Sequence, residues 1–203
     1  MSSSIEVFEI AKNYIISNYP SDIETAMEFL KINLDEVDKT FFMRQYIHVV
    51  YCSGFKYQIV SDRWNDIEDV YYYFDPPSIV LFTDTIREEA MKIIGHRKKI
   101  EAILSTAKWL NILSEDKFKQ FLQDAKKNID LFKQLNYIGD ITKYHLALCL
   151  GFDVSKPDVH ITRIANRFNE DPLELCETLS KKTGYPVRIV DAILWRAAER
   201  GVI

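Results

Sequence analysis

The stretch Leu135–Arg167 reads LNYIGDITKYHLALCLGFDVSKPDVHITRIANR, and its succession of turn, helix, loop and helix decides the fold class. Tyr137-Ile138-Gly139-Asp140 interrupts two apolar-periodic segments, and the single glycine predicts a sharp left-handed turn that joins two short helices as a hairpin. A helix is predicted from about Asp140, with Asp140 set to cap its first amides and Ile141, Tyr144 and Leu148 recurring at helical spacing. A helix start of this kind presents unpaired N–H groups and the positive end of the dipole, a seat for a phosphate that reads no base sequence. Gly151 ends the helix.

Beyond it, Phe152-Asp153-Val154-Ser155-Lys156-Pro157 reads as a loop, with Pro157 pre-set for the first turn of the next helix. Asp158 follows at once, so its carboxylate is expected at a helix N-terminus, where the dipole favours negative charge. His160, Ile161, Arg163, Ile164 and Arg167 continue that helix.

The rest of the chain is helical in pattern. Ile5 to Tyr19 is amphipathic and stopped by Pro20, and Ser21 or Asp22 can cap a second helix through Ala26, Phe29 and Leu30. Asp38 to Cys52 places Phe41, Phe42, Tyr46, Ile47 and Val50 toward a core, and Ser53-Gly54 breaks it. Helical spacing resumes through Tyr57, Trp64 and Ile67 and runs into Val70-Tyr71-Tyr72-Tyr73-Phe74, stopped at Asp75-Pro76-Pro77. Five bulky residues in a row cannot all face inward, so Tyr57, Trp64, Tyr71 and Tyr72 are candidates to line a pocket where aromatic faces stack on a base. Thr83 to Ile94 is capped and amphipathic. The next helix opens on His96-Arg97-Lys98-Lys99 before Ile100, Ile103, Ala107 and Leu110 bury it, and Ser114 to Lys127 and Ile129 to Leu135 lead into the hairpin. Two more helices close the chain: one after Asn169-Glu170-Asp171-Pro172, one opened by Pro186, on which Asp191 and Arg196 are polar among apolar neighbours. No alternation of period two is long enough for a sheet, which gives an all-α class.

With 203 residues and 47% apolar content the chain can bury one or two cores. It has no run of eighteen apolar residues and no basic, apolar leader, so it is expected in the cytoplasm, without a membrane partner. Cys52, Cys149 and Cys176 are scattered in a way that suggests neither a disulfide framework nor a metal cluster. The net charge of −4 divides unevenly: residues 1–90 hold 7 Lys and Arg against 16 Asp and Glu, and residues 91–203 hold 19 against 14. The half with the hairpin is thus the basic half, which is what a phosphate-binding face needs.

Leu135-x-x-Ile138-Gly139-x-x-Thr142, a helix, and then Lys156-Pro157-Asp158-x-His160-x-x-Arg163 together resemble the helix-hairpin-helix and aspartate motif of the DNA glycosylase superfamily that includes endonuclease III. Upstream, Ser53-Gly54-Phe55-Lys56-Tyr57, Trp64, and Gly95-His96-Arg97-Lys98-Lys99-Ile100-Glu101-Ala102-Ile103 with Ala107 are similar to helices of 3-methyladenine DNA glycosylases. The likeness spans about residues 40 to 200. It implies a two-lobed helical fold, treated as one unit over 1–203, with a lobe carrying the base pocket (38–134), the hairpin and catalytic loop (135–168) and carboxy-terminal helices (169–203); residues 1–37 lie outside the likeness and read as an amino-terminal helical extension with core-packing faces.

The resemblance also implies base excision from double-stranded DNA by a monomer, in a bacterial or archaeal cell associated with the nucleoid, with Asp158 as catalytic carboxylate. The hairpin residues Tyr137, Ile138, Gly139, Asp140, Thr142 and Lys143, together with Arg97, Lys98 and Lys99, are expected on the DNA backbone. In family members that also cut the strand a lysine opens the second hairpin helix. Ile141 stands there, which implies hydrolysis alone, and Asn136-Tyr137 replaces the usual Pro-Gly. The chain ends at Ile203 with no iron–sulfur cysteine loop, so the likeness implies no cofactor. Two other readings accompany it: a non-catalytic module that recognises DNA structure on the same fold, and a glycosylase with lyase activity through Lys143 or Lys156.

Overall fold

The computed structural model describes residues 3–203, and among them every regular element is helical. In chain order these are α1 (Ser4–Asn18), α2 (Pro20–Leu30), α3 (Lys39–Cys52), α4 (Tyr57–Asp62), α5 (Trp64–Val70), α6 (Pro76–Leu81) and α7 (Thr83–Ile93). The second half holds α8 (Arg97–Ile112), α9 (Glu115–Lys127), α10 (Thr142–Cys149), α11 (Val159–Phe168), α12 (Pro172–Thr183) and α13 (Val187–Glu199). Short 3-10 turns at Tyr72–Phe74 and Ile129–Gln134 complete the set. No helix among the described residues is long and apolar enough to cross a membrane.

Local chemistry sets most boundaries. Ser3 and Glu6 form a reciprocal capping box on α1, Asp38 takes the Phe41 amide at 2.7 Å to start α3, and Asp171 takes the Leu173 amide at 2.8 Å to start α12. Pro20 is tolerated in the first turn of α2, where a missing N–H costs nothing, so the proline that ends α1 also begins α2 without the side-chain cap expected of Ser21 or Asp22.

The chain divides into two compact units. The first joins the described residues up to Ile32 with Ala147–Ile203. Its core packs Phe8, Ala11 and Ile15 of α1 and Ala26 of α2 against Ile161 and Ile164 of α11, Leu175 and Leu179 of α12, and Val190, Ile193 and Leu194 of α13. The first two helices thus pack into the core of this unit, the structural role that their apolar faces suggest. Gly151 shows how close the approach is. It has φ 85°, and a Cβ there would lie 2.6 Å from the Phe29 carbonyl oxygen and 2.8 Å from Ile32 Cβ.

The second unit is Asn33–Leu146, built round α8. Ile100, Ile103, Ala107 and Leu110 of that helix are buried with Phe42, Tyr46, Ile47 and Val50 of α3. Here the aromatic run departs from the expected helix. Tyr72, Tyr73 and Phe74 have φ of 49°, 53° and 65°, a left-handed turn made without glycine, which costs on the order of 1–2 kcal/mol per residue. Burial of Tyr71 and Phe74 and the stacking of Tyr72 on Phe82, with centroids 4.4 Å apart, offset that cost. The turn sends Tyr73 outward, to 67% exposure.

Candidate functional site

Asp158 is the N-cap of α11, as its position after proline predicts, while Pro157 precedes the cap and is not in the first turn. The two carboxylate oxygens have separate tasks. Oδ1 accepts from the His160 amide at 2.9 Å and the Ile161 amide at 3.3 Å, and Oδ2 lies 3.1 Å from Lys156 Nζ. Its side chain is 16% exposed, so the carboxylate is largely sheltered from solvent. Behind it, Lys156 Nζ lies 5.7 Å from the centre of the Trp195 ring, and His160 meets that ring edge-on at 5.9 Å. His160 Nδ1 is buried and makes no hydrogen bond among the described residues.

Beneath this loop lies a second carboxyl. Asp191 of α13 is 7% exposed, and its Oδ1 accepts from the Lys156 amide at 2.8 Å. Burial pushes its pKa up to about 7. The Lys156 amide and ammonium and the Arg188 guanidinium pull it down, and the Asp158 carboxylate pushes it further up. The sequence marks Asp191 only as a polar residue on an apolar helix.

The hairpin lies in the other unit. Its left-handed residue is Tyr137, φ 68°, and not Gly139. Tyr137 stands where the resemblance places glycine, so the backbone keeps the expected turn with a side chain that L-residues rarely combine with it. Gly139 has no such φ, and a Cβ built on it would meet nothing within 4 Å. Its amide donates to Thr142 Oγ1 at 2.7 Å, which closes the turn back onto the first residue of α10. Asp140 does not cap the helix. Its carboxylate turns to Lys133 Nζ at 2.9 Å, and the Lys133 pair holds it ionised below the usual carboxylate range. No acceptor for the amides of Asp140, Ile141 and Thr142 is found among the described residues. Tyr46, a core aromatic by its sequence spacing, donates its hydroxyl to the Asn136 carbonyl at 2.6 Å and so anchors the hairpin.

Arg97 and Lys98 are exposed and share a groove of about 440 Å³ with Asn136 and Tyr137, lined also by Glu101 and Ala102. The structure thus brings the basic start of α8 to the hairpin. Lys99 does not belong to that surface. It is 2% exposed, and its ammonium donates to the Val50, Tyr51 and Ser53 carbonyls at the end of α3, 4.6 Å from the Phe55 ring centre. The helical phase of residue 99 follows buried Ile103 and Thr106, which turns it inward, and burial pushes its pKa down to about 8. Lys99→Met is therefore expected to lower stability by about 2 kcal/mol, because three carbonyls lose their donor. A shift of the urea midpoint at constant slope measures this, and an unshifted midpoint contradicts the capping role. Lys143 is also buried, in an ion pair with Asp130, and so is Ile138, at 6% exposure.

The four aromatic candidates separate. Tyr71 is fully buried, its hydroxyl 2.8 Å from that of Tyr51, so its ring is part of the core; burial raises the pKa of both, Tyr51 to about 12. Tyr72 is stacked on Phe82. Tyr57, 66% exposed, and Trp64 meet round His48, with centroids 6.3 Å and 5.4 Å from it, and His145 of α10 joins them at 5.7 Å. The Arg44 guanidinium lies 5.8 Å from the Trp64 ring. In the sequence His48 is hidden by its apolar neighbours on α3. Comparisons with models of protein families, with characterised proteins and with solved structures give no match to this chain.

Proposed function

We propose that the chain is a DNA glycosylase that hydrolyses the N-glycosidic bond of a damaged or mismatched base, with Asp158 as its catalytic carboxylate. The observation that carries this reading is the division of labour at Asp158, one oxygen tied to two helix amides and the other paired with the Lys156 ammonium, so that the carboxylate is held in place at the start of α11. A base must leave the stack before its glycosidic bond can be reached. As the bond breaks, positive charge grows on the sugar, and a fixed carboxylate stabilises that charge or orients water toward it.

The hairpin supports the DNA-binding half of the proposal. Glycine at 139 has neither a left-handed φ nor a neighbour within 4 Å of the Cβ position, so the hairpin backbone is open there to a phosphate. Gly139→Ala is expected to melt like the wild type and to bind duplex DNA about tenfold more weakly, because a charge-assisted hydrogen bond to phosphate is broken. Neutralising Arg97 and Lys98 should lower the salt slope of log K by roughly 0.9 for each phosphate that is no longer neutralised. Titration of the variants against one duplex at several salt concentrations checks both, and unchanged affinity and slope would remove this face from binding.

A second reading, strand cleavage through a lysine, is favoured at one residue by one contact: Lys156 Nζ lies 3.1 Å from Asp158, whereas Lys143 is engaged with Asp130. Ile141 at the position of the family lysine argues for hydrolysis. The experiment is a screen of duplexes with one damaged base each, read with and without alkali after the protein step. Breaks that need alkali support hydrolysis, breaks without it support the lyase, and DNA binding without base loss supports a non-catalytic DNA-binding module.

A further inference from the structure

Arg188, Asp191 and Trp195 on α13 are three and four positions apart, hence on one face of the helix. That face meets the loop before α11 at three points. The Arg188 amide donates to Asp153 Oδ1 at 2.8 Å, Asp191 Oδ1 accepts from the Lys156 amide at 2.8 Å, and the Lys156 ammonium lies over Trp195. Arg188 in turn donates its guanidinium to the Leu148 carbonyl and lies 4.7 Å from the Phe29 ring centre, so the face is itself fixed. Lys156 is the joint of this arrangement: its amide is held from below by Asp191, and its side chain reaches Asp158 Oδ2.

We infer that Asp191 is a positioning residue for Asp158, fixing through the Lys156 amide the backbone from which the Lys156 side chain meets the Asp158 carboxylate. The inference rests on the proposed role of Asp158 and adds a residue that touches neither sugar nor base. An internal hydrogen bond from one amide does not need an ionisable group, since an amide side chain offers the same oxygen. What a carboxyl adds is a charge that changes within Coulomb reach of Asp158. The groups that face it are Lys156 and Asp158 from the loop, Arg188 on its own helix, and Cys176 of α12, whose thiol burial pushes up and the charge of Asp191 pushes further. With burial holding the Asp191 pKa near neutrality, base release should carry an inflection at about pH 7 that originates in α13 and not in Asp158.

Asp191→Ala and Asp191→Asn separate this role from bulk packing. Both are compared with the wild type for hydrogen exchange at the Lys156 amide by NMR and for base release from duplexes carrying one 3-methyladenine, uracil or 8-oxoguanine. In Asp191→Ala the amide should exchange at least about tenfold faster and release should fall about tenfold, with duplex affinity within about threefold of wild type. Asp191→Asn, which keeps the acceptor, should restore both, and its pH profile of release should lack the inflection near neutrality. Wild-type exchange and release in Asp191→Ala would overturn the inference. So would an inflection that survives in Asp191→Asn. If the wild-type protein releases none of the three bases, the reading of Asp158 fails, and amide exchange at Lys156 still decides whether Asp191 holds the loop.

Discussion

Asp158→Asn is expected to lower base release by about 10²–10³-fold while leaving the melting temperature and duplex affinity close to wild type. Asparagine is as good an N-cap as aspartate, and its side-chain oxygen can keep the His160 and Ile161 amides. What it removes is the negative charge, and with it the partner of Lys156. A melting temperature that stays close to wild type separates a fall in rate from unfolding. Single-turnover release at saturating protein, beside a melting curve, checks both halves. Release at the wild-type rate would remove Asp158 from the mechanism.

Asp191→Asn is expected to stabilise the fold in neutral and alkaline solution and not in acid. The carboxyl titrates at about 7 in the folded protein because burial disfavours its charge, and near 3.9 in the unfolded chain. Between those values the folded state holds a proton that the unfolded state has released, so raising the pH through the window favours unfolding. The penalty is absent below about pH 4, grows to about pH 7, and levels off at on the order of 4 kcal/mol. An amide does not titrate. The stability difference between Asp191→Asn and the wild type should open across that window and stay constant above it. Denaturation midpoints from pH 4 to 8.5 measure it, and a difference independent of pH would mean that Asp191 does not titrate there. A group that burdens the fold in this way is suited to a role other than stability, in keeping with its hold on the loop of Asp158.

Features that depend on neighbours in the chain are legible in the sequence. Asp158 follows a proline and precedes a periodic run, and it caps α11. Gly151 follows the last turn of α10 with a φ of 85°, the left-handed conformation that glycine adopts at little cost. Helical phase is equally legible at Lys99, where four basic or polar letters in a row read as one surface although residue 99 shares its face with Ile103, Thr106 and Leu110. Other features have no local signal. The left-handed turn at Tyr72–Phe74 contains no glycine and exists because Tyr71 and Phe74 are drawn into the core. The bond from Lys156 to Asp191 spans 35 residues, and the packing of α1 against α13 spans nearly the whole chain; both depend on burial that only the folded unit creates. His48 is of the same kind, an imidazole that acquires Tyr57, Trp64 and His145 as neighbours from other helices.

The most direct test of the account is release of a free base from a duplex with a single damaged nucleotide, by wild type and by Asp158→Asn, with borohydride present and with alkali added afterwards. The account predicts base release by the wild type, strand breaks only after alkali, no trapped protein–DNA adduct, and loss of release in the variant despite retained binding. Equal release by both proteins, or an adduct trapped in good yield, would contradict it.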